Sequence, residues 1–182
     1  MNCVVQWLPH AGLGAEHLVL RETAEGVVAE AVVIGAREGT PFGLRYRLAC
    51  DARWRVREAA LSLVGEDRRL DLRADGEGNW RDGGGQAVAA LQGCVDIDVS
   101  ATPFTNTLPI RRLGLAPQTA VDIIVAYVAV PALTVASALQ RYTCLETGRR
   151  YRYEGPLRRF TAELCVDQDG LVLDYPGLFR RA

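Results

Sequence analysis

Through most of the chain polar and apolar residues alternate with a period of two, the pattern of strands that each bury one face. Leu44, Tyr46 and Leu48 fall on one side of such a segment, with Arg45 and Arg47 on the other. Arg53 to Arg57 repeats the pattern, setting Trp54 and Val56 opposite three arginines, so a strand is preferred there over a helix drawn from Ala52 to Val64. Leu70 and Leu72 run through the turn cluster Asp75-Gly76-Glu77-Gly78-Asn79 to Trp80, which predicts a hairpin. Val95, Ile97 and Val99 alternate with Asp96, Asp98 and Ser100. Two further hairpins are predicted near the C-terminus, one turning at Glu146-Thr147-Gly148 and one at Asp167-Gln168-Asp169-Gly170.

Helical periodicity is weak, and Gln86 to Leu91 allows only about a turn and a half. Val121 to Val130 is almost continuously apolar and ends at Pro131, which reads as a strand buried on both faces. The stretch Ala101 to Leu115 is read as a rigid polar loop: Pro103 and Pro109 fix its backbone, and Thr102, Thr105, Asn106 and Thr107 crowd hydrogen-bonding groups between them. No linker, charge block or repeat divides the chain, so residues 1–182 read as a single domain. The expected fold class is all-β and mainly antiparallel, with little helix: one rolled, barrel-like or spiral sheet, because so many strands must curl or close to hide their edges.

Composition narrows the chemistry. The 182 residues contain 21 basic side chains, and every one is arginine, which removes mechanisms that need a lysine amine, such as Schiff-base and P-loop chemistry. A formal net charge of −1 gives no basic excess for nucleic acid or an anionic membrane. The opening MNCVVQWLPHAG has no positive region, and Gln6 and Pro9 break its apolar stretch, so no signal peptide or membrane span is predicted. Cys3, Cys50, Cys94, Cys144 and Cys165 stand singly, unlike a disulfide framework or a zinc site. A cytoplasmic protein with free, mostly buried thiols and no metal or other cofactor is expected.

Candidate binding residues fall into four groups. Five arginines between Arg45 and Arg57, against the single acid Asp51, form a cationic stripe in which Arg47, Arg53 and Arg55 could address a phosphate, carboxylate or polyol, unless acids on neighbouring strands pair with them. Asp96 and Asp98, two apart on a strand, share a face at about 6–7 Å, a spacing used by glycosidases, although such alternation is commonly a solvated face. Asn106, Arg111 and Arg112 come from the proline-bounded loop. Trp54, Tyr127, Tyr142 and Tyr153 supply aromatic surface for acyl chains or sugar rings. With no G-x-S-x-G and both histidines near the N-terminus, a Ser/His triad is excluded as a reading.

Several motifs in order carry a family resemblance: GAEHLVL (14–20), FGLRYRLACDARWRVREAAL (42–61), VDIDVSATPFTNTLPIRRL (95–113), VAYVAVPALTV (125–135), QRYTC (140–144), YRYEG (151–155) and FTAELCVDQDGLVLDYPGLFRR (160–181). Together they resemble the bacterial family catalogued as putative glycolipid-binding, formerly a domain of unknown function. The resemblance implies a rolled antiparallel sheet shaped like the periplasmic lipoprotein carriers, a glycolipid or other amphipathic small molecule as partner, and no catalytic residues. The expected function is therefore non-enzymatic binding in the concave face of a curled sheet. The alternatives are a sugar- or lipid-ester hydrolase using Asp96 and Asp98, and a protein-interaction module.

Overall fold

The structure, a computed structural model, describes residues 1–155 and 159–182. Among the described residues fourteen strands follow one another: β1 (Asn2–Pro9), β2 (Ala15–Glu22), β3 (Gly26–Arg37), β4 (Thr40–Asp51), β5 (Val56–Leu63), β6 (Arg69–Ala74), β7 (Trp80–Asp82), β8 (Asp96–Val99), β9 (Ala120–Ala129), β10 (Thr134–Glu146), β11 (Arg150–Gly155), β12 (Phe160–Val166), β13 (Val172–Tyr175) and β14 (Phe179–Arg181). They form one sheet in the order β7-β6-β5-β4-β3-β2-β1-β14-β13-β12-β11-β10-β9-β8. The fold class is thus all-β, with a sheet that curls without closing. The three hairpins predicted at 75–79, 146–148 and 167–170 are present, as β6–β7, β10–β11 and β12–β13.

Period-two burial sets the curvature. On β4, Leu44, Tyr46, Leu48 and Cys50 point inward while Arg45 is exposed. The segment Arg53 to Arg57 departs from the expected continuous strand, because β5 begins only at Val56. Asp51 accepts the amide hydrogens of Arg53 and Arg55 through Oδ1, an Asx-type turn that puts Trp54 at φ 63° with its indole buried. Trp54 and Arg55 therefore belong to a connection and not to opposite faces of a strand. Strand β9 is also less buried than expected: Ile123, Val125 and Val128 face the core, but Ile124 is exposed.

The largest departure lies at Ala101 to Leu115. Instead of a loop, residues Phe104–Leu113 form helix α1, with Phe104 to Ile110 buried all round. The helix lies inside the curl and links β8 to β9, the only parallel pair in a sheet otherwise antiparallel among its described strands. Parallel neighbours require a crossover, and α1 provides it. Pro103, at the N-cap, has no N–H to leave unpaired; Thr102 Oγ1 accepts the Phe104 amide at 3.0 Å; Gly114 ends the helix in the left-handed region at φ 53°.

The two edges of the sheet are sequence neighbours, and residues 83–95 fold back to join them. Trp80 Nε1 donates to the Cys94 carbonyl at 2.7 Å, and the Gly93 amide donates to the Gly78 carbonyl at 2.8 Å. Gly78 sits at φ 93°, where a Cβ would lie 2.8 Å from the Gly93 Cα, so only glycine fits this joint. One core cluster packs β1–β7 against β8, β9 and the first half of α1; a second, rich in tyrosine, packs β10–β13 against the helix end.

Candidate functional site

Two cavities adjoin inside the curl. The first, about 420 Å³, opens between β8, α1 and strands β9–β14. Its polar floor is Asp98 and Gln140, joined by a 2.6 Å bond from Gln140 Nε2 to Asp98 Oδ2, with Asn106 from the helix beside them. Gln140 is buried despite its amide, because its position on β10 has the inward parity of Tyr142 and Cys144. Asn106 Nδ2 donates to the Tyr142 hydroxyl at 2.8 Å, and burial, reinforced by the Asp98 charge, holds that phenol far above its ordinary range. The opposite wall is aromatic. Tyr153, Phe160, Tyr175 and Phe179 line it, with successive ring centroids 6.0–6.4 Å apart and Tyr142 packed edge-on against Tyr153 at 5.5 Å. A carboxylate and two amides facing a row of rings is an arrangement suited to a sugar or polyol, whose hydroxyls seek hydrogen bonds and whose ring faces are apolar.

The second cavity, about 250 Å³, lies between β1–β4 and the turn into β14. Trp7, Pro9, Val33, Ile34, Phe42 and Val130 make its lining mainly apolar. Arg37, Ser100, Leu178 and Phe179 line both cavities, so one wall is shared. Its buried polar residue is Glu16, only 3% exposed. Glu16 Oε1 accepts hydrogen bonds from the Tyr46 hydroxyl at 2.5 Å and from Thr102 Oγ1 at 2.8 Å, while Oε2 is buried without a partner. Burial raises this carboxyl from an ordinary 4.5 to about 7 in spite of the two hydrogen bonds, which act in the opposite direction.

The residues singled out from sequence divide between these cavities and the surrounding ion pairs. Asp98, Asn106, Tyr127 and Tyr153 line the first cavity, and Tyr142 supports it from behind. Asp96 is 0% exposed, not a solvated side chain, and both its oxygens are held by Arg112, at 2.6 Å for the closest contact. Burial nevertheless raises its carboxyl, with the Arg112 guanidinium opposing that shift. Arg111 lies over the buried Trp54 ring at 4.8 Å and reaches Glu22 at 3.4 Å. Arg47 pairs with Glu58 across β4–β5, Arg55 bridges Asp51 and Glu77, and Arg53 is exposed in the turn. The five cysteines are all free, three of them buried, and burial together with the Asp96 charge pushes the Cys50 thiol up to about 12, far from a reactive thiolate. Among the described residues no cluster of His, Cys, Asp or Glu could hold a metal, and no helix is long and apolar enough to cross a membrane.

Glu16, Gln140, Phe160, Tyr175 and Phe179 were not among the sequence candidates. For Glu16 and Gln140 a signal existed: each occupies the parity of the apolar positions on its own strand, Leu18 and Leu20 beside Glu16 on β2, Tyr142 and Cys144 beside Gln140 on β10.

The family model described as "Putative glycolipid-binding" matches residues 4–181. The chain belongs to this family. A crystal structure of a DUF1089 family protein from Pseudomonas aeruginosa is similar to it, at 43% identity and a TM-score of 0.83 over 94% of each chain. No curated protein matches. The family's description gives it a binding role in general, and the mixed polar and aromatic cavity is consistent with that role.

Proposed function

We propose that residues 1–182 act as one binding domain for an amphipathic molecule, with its sugar or polyol head group in the first cavity and its apolar part in the second. The observation that carries this reading is the shared wall: a cavity floored by Asp98, Gln140 and Asn106 adjoins one lined by Trp7, Val33, Phe42 and Val130, with Arg37, Ser100, Leu178 and Phe179 common to both. A ligand lying across that wall would meet polar groups at one end and apolar surface at the other. The hydrolase alternative requires two carboxylates at one ligand, and Asp96 already holds Arg112 with both oxygens, so we favour binding without turnover. Within the arginine stripe we assign Arg47, Arg55 and Arg57 a structural role, because each is engaged in an ion pair.

Dodecyl β-glucoside titrated into the full chain by calorimetry tests the reading. One-to-one binding is expected, weakened about tenfold or more by Asp98→Asn, since a hydrogen bond to a charged group contributes about 1.5–3 kcal/mol. Leu178→Asp, at a half-exposed position on the shared wall, should abolish binding with the melting temperature preserved. A wild-type protein that binds neither the glucoside nor any lipid of a mixed panel, and that carries no ligand in native mass spectrometry after purification from its source cells, would refute the proposal.

A further inference from the structure

We infer that Glu16 is a ligand-recognition residue, offering Oε2 as a hydrogen-bond donor to one uncharged acceptor oxygen set within the apolar part of the ligand. The inference rests on the reading of the second cavity as the seat of that apolar part.

The geometry separates the two oxygens of the carboxyl. Oε1 is occupied by Tyr46 and Thr102, and Thr102 Oγ1 in turn accepts the Phe104 amide, so this oxygen alone ties the start of α1 to the inner wall. Oε2 takes no part in that tie, and it is buried without a hydrogen-bond partner in a residue that lines the second cavity. Native proteins leave few buried polar atoms unpaired, because each costs about 1–3 kcal/mol. A tether alone could be made by a neutral residue with one acceptor; it does not account for the second oxygen.

The proton belongs on Oε2. Because Oε1 already accepts two hydroxyl hydrogens, a proton added to the carboxyl resides on the other oxygen, which becomes a donor. The environment favours that form. Burial raises the carboxyl to about 7, no cation is bonded to it among the described residues, and the ionisable groups beside it there are Tyr46, which donates from β4, and Arg37, which lines the same cavity from the end of β3. Its partners in register on β1 and β3, Trp7 and Val33, carry no charge. An apolar chain filling the cavity would displace remaining water and favour the protonated state further. The matching ligand atom is therefore an acceptor without charge, an ester carbonyl or an ether oxygen flanked by apolar carbon. An ammonium has no acceptor to offer, and a carboxylate would repel the ionised form.

Calorimetric titrations with 1-monododecanoylglycerol and its ether analogue 1-O-dodecylglycerol, both uncharged from about pH 6 to 8, test this. If only the protonated form donates, the competent fraction falls from about 0.9 to about 0.1 over that range, so affinity for at least one probe falls about tenfold, with proton uptake visible as a dependence of the binding enthalpy on buffer ionisation. Glu16→Gln keeps an acceptor for Tyr46 and Thr102 and places an amide donor near Oε2; it should bind the same probe with equal strength at both pH values. Dependence with the ester alone identifies a carbonyl as the partner, and dependence with both shows that the ether oxygen suffices. Tight binding that is indifferent to pH, or a pH dependence unchanged in Glu16→Gln, overturns the role of Glu16 and leaves the cavity reading standing. Absence of binding by either probe at either pH overturns both.

Discussion

Replacing Glu16 by glutamine should make the protein's stability less sensitive to pH, and the size of the effect follows from the burial of one carboxyl. In the unfolded chain Glu16 ionises at its ordinary 4.5; in the folded chain burial holds it at about 7. Below pH 4.5 both states bind the proton and the group is neutral in its effect. Between 4.5 and 7 the unfolded state releases the proton and the folded state retains it, so stability declines by about 1.4 kcal/mol per pH unit. Above 7 both are ionised and the decline stops. Over the whole window the loss is about 3 kcal/mol. Glutamine has nearly the same shape, keeps an acceptor for Tyr46 and Thr102, and does not titrate. The stability difference between Glu16→Gln and wild type should accordingly move by about 3 kcal/mol in favour of the variant from pH 4 to pH 8.

Urea unfolding at several pH values measures this, and taking the difference between the two proteins cancels titrations they share. With a slope of roughly 1–3 kcal/mol per molar urea, the relative midpoint should shift by about 1–3 M. Parallel pH profiles would mean that Glu16 is not raised. A relative shift in favour of wild type as pH rises would mean that the Tyr46 and Thr102 hydrogen bonds outweigh burial and lower the Glu16 carboxyl instead of raising it.

Two other consequences can be checked in the same assay. Arg112→Met strands the fully buried Asp96 and should cost about 3–5 kcal/mol, most of it recovered when Asp96→Leu is added; single and double variants that unfold alike would show that the pair is not coupled. Gly78→Ala forces a Cβ toward the Gly93 Cα at a positive φ and should destabilise by about 1–3 kcal/mol, whereas Gly93→Ala, whose Cβ meets nothing within 4 Å, incurs the conformational strain alone and should cost less.

The strands were legible where one face meets the core and the other meets water, because alternation then records the fold directly: Leu44 to Leu48, Leu70 to Leu72 and the three hairpin turns are of this kind. Helix α1 was not, for the same reason inverted. A helix enclosed on every side has no amphipathic period to display, and here its buried residues include the polar Thr105, Asn106 and Thr107, of which Asn106 bonds to Tyr142 on the distant strand β10. Prolines at 103 and 109, together with β-branched threonines, lower local helix propensity further. What stabilises this helix is the curl around it, a tertiary cause that no window of neighbouring residues contains. The missed helix also concealed the parallel pairing of β8 and β9, since these strands can run parallel only if a crossover lies between them.

The same distinction governs the candidate site. Arginine density along β4 and the following turn looked like ligand chemistry, yet Arg47 is paired with Glu58 across the β4–β5 hairpin, and Arg55 with Asp51 in its own turn and with Glu77 in the β6–β7 turn. Charge clusters on outward parities are poor guides because an antiparallel neighbour supplies the opposite charge at a register that composition cannot show. Polar residues on inward parities are better ones. Glu16 follows the register of Leu18 and Leu20, and Gln140 that of Tyr142 and Cys144, so each was committed to the interior by its strand before any partner was known. A buried polar group must then find a hydrogen bond or face a cavity. Gln140 does both, through Asp98 in the first cavity, and Glu16 does so with one oxygen through Tyr46 and Thr102. Its second oxygen, unpaired beside the other cavity, is where the fold leaves a polar requirement for a ligand to meet.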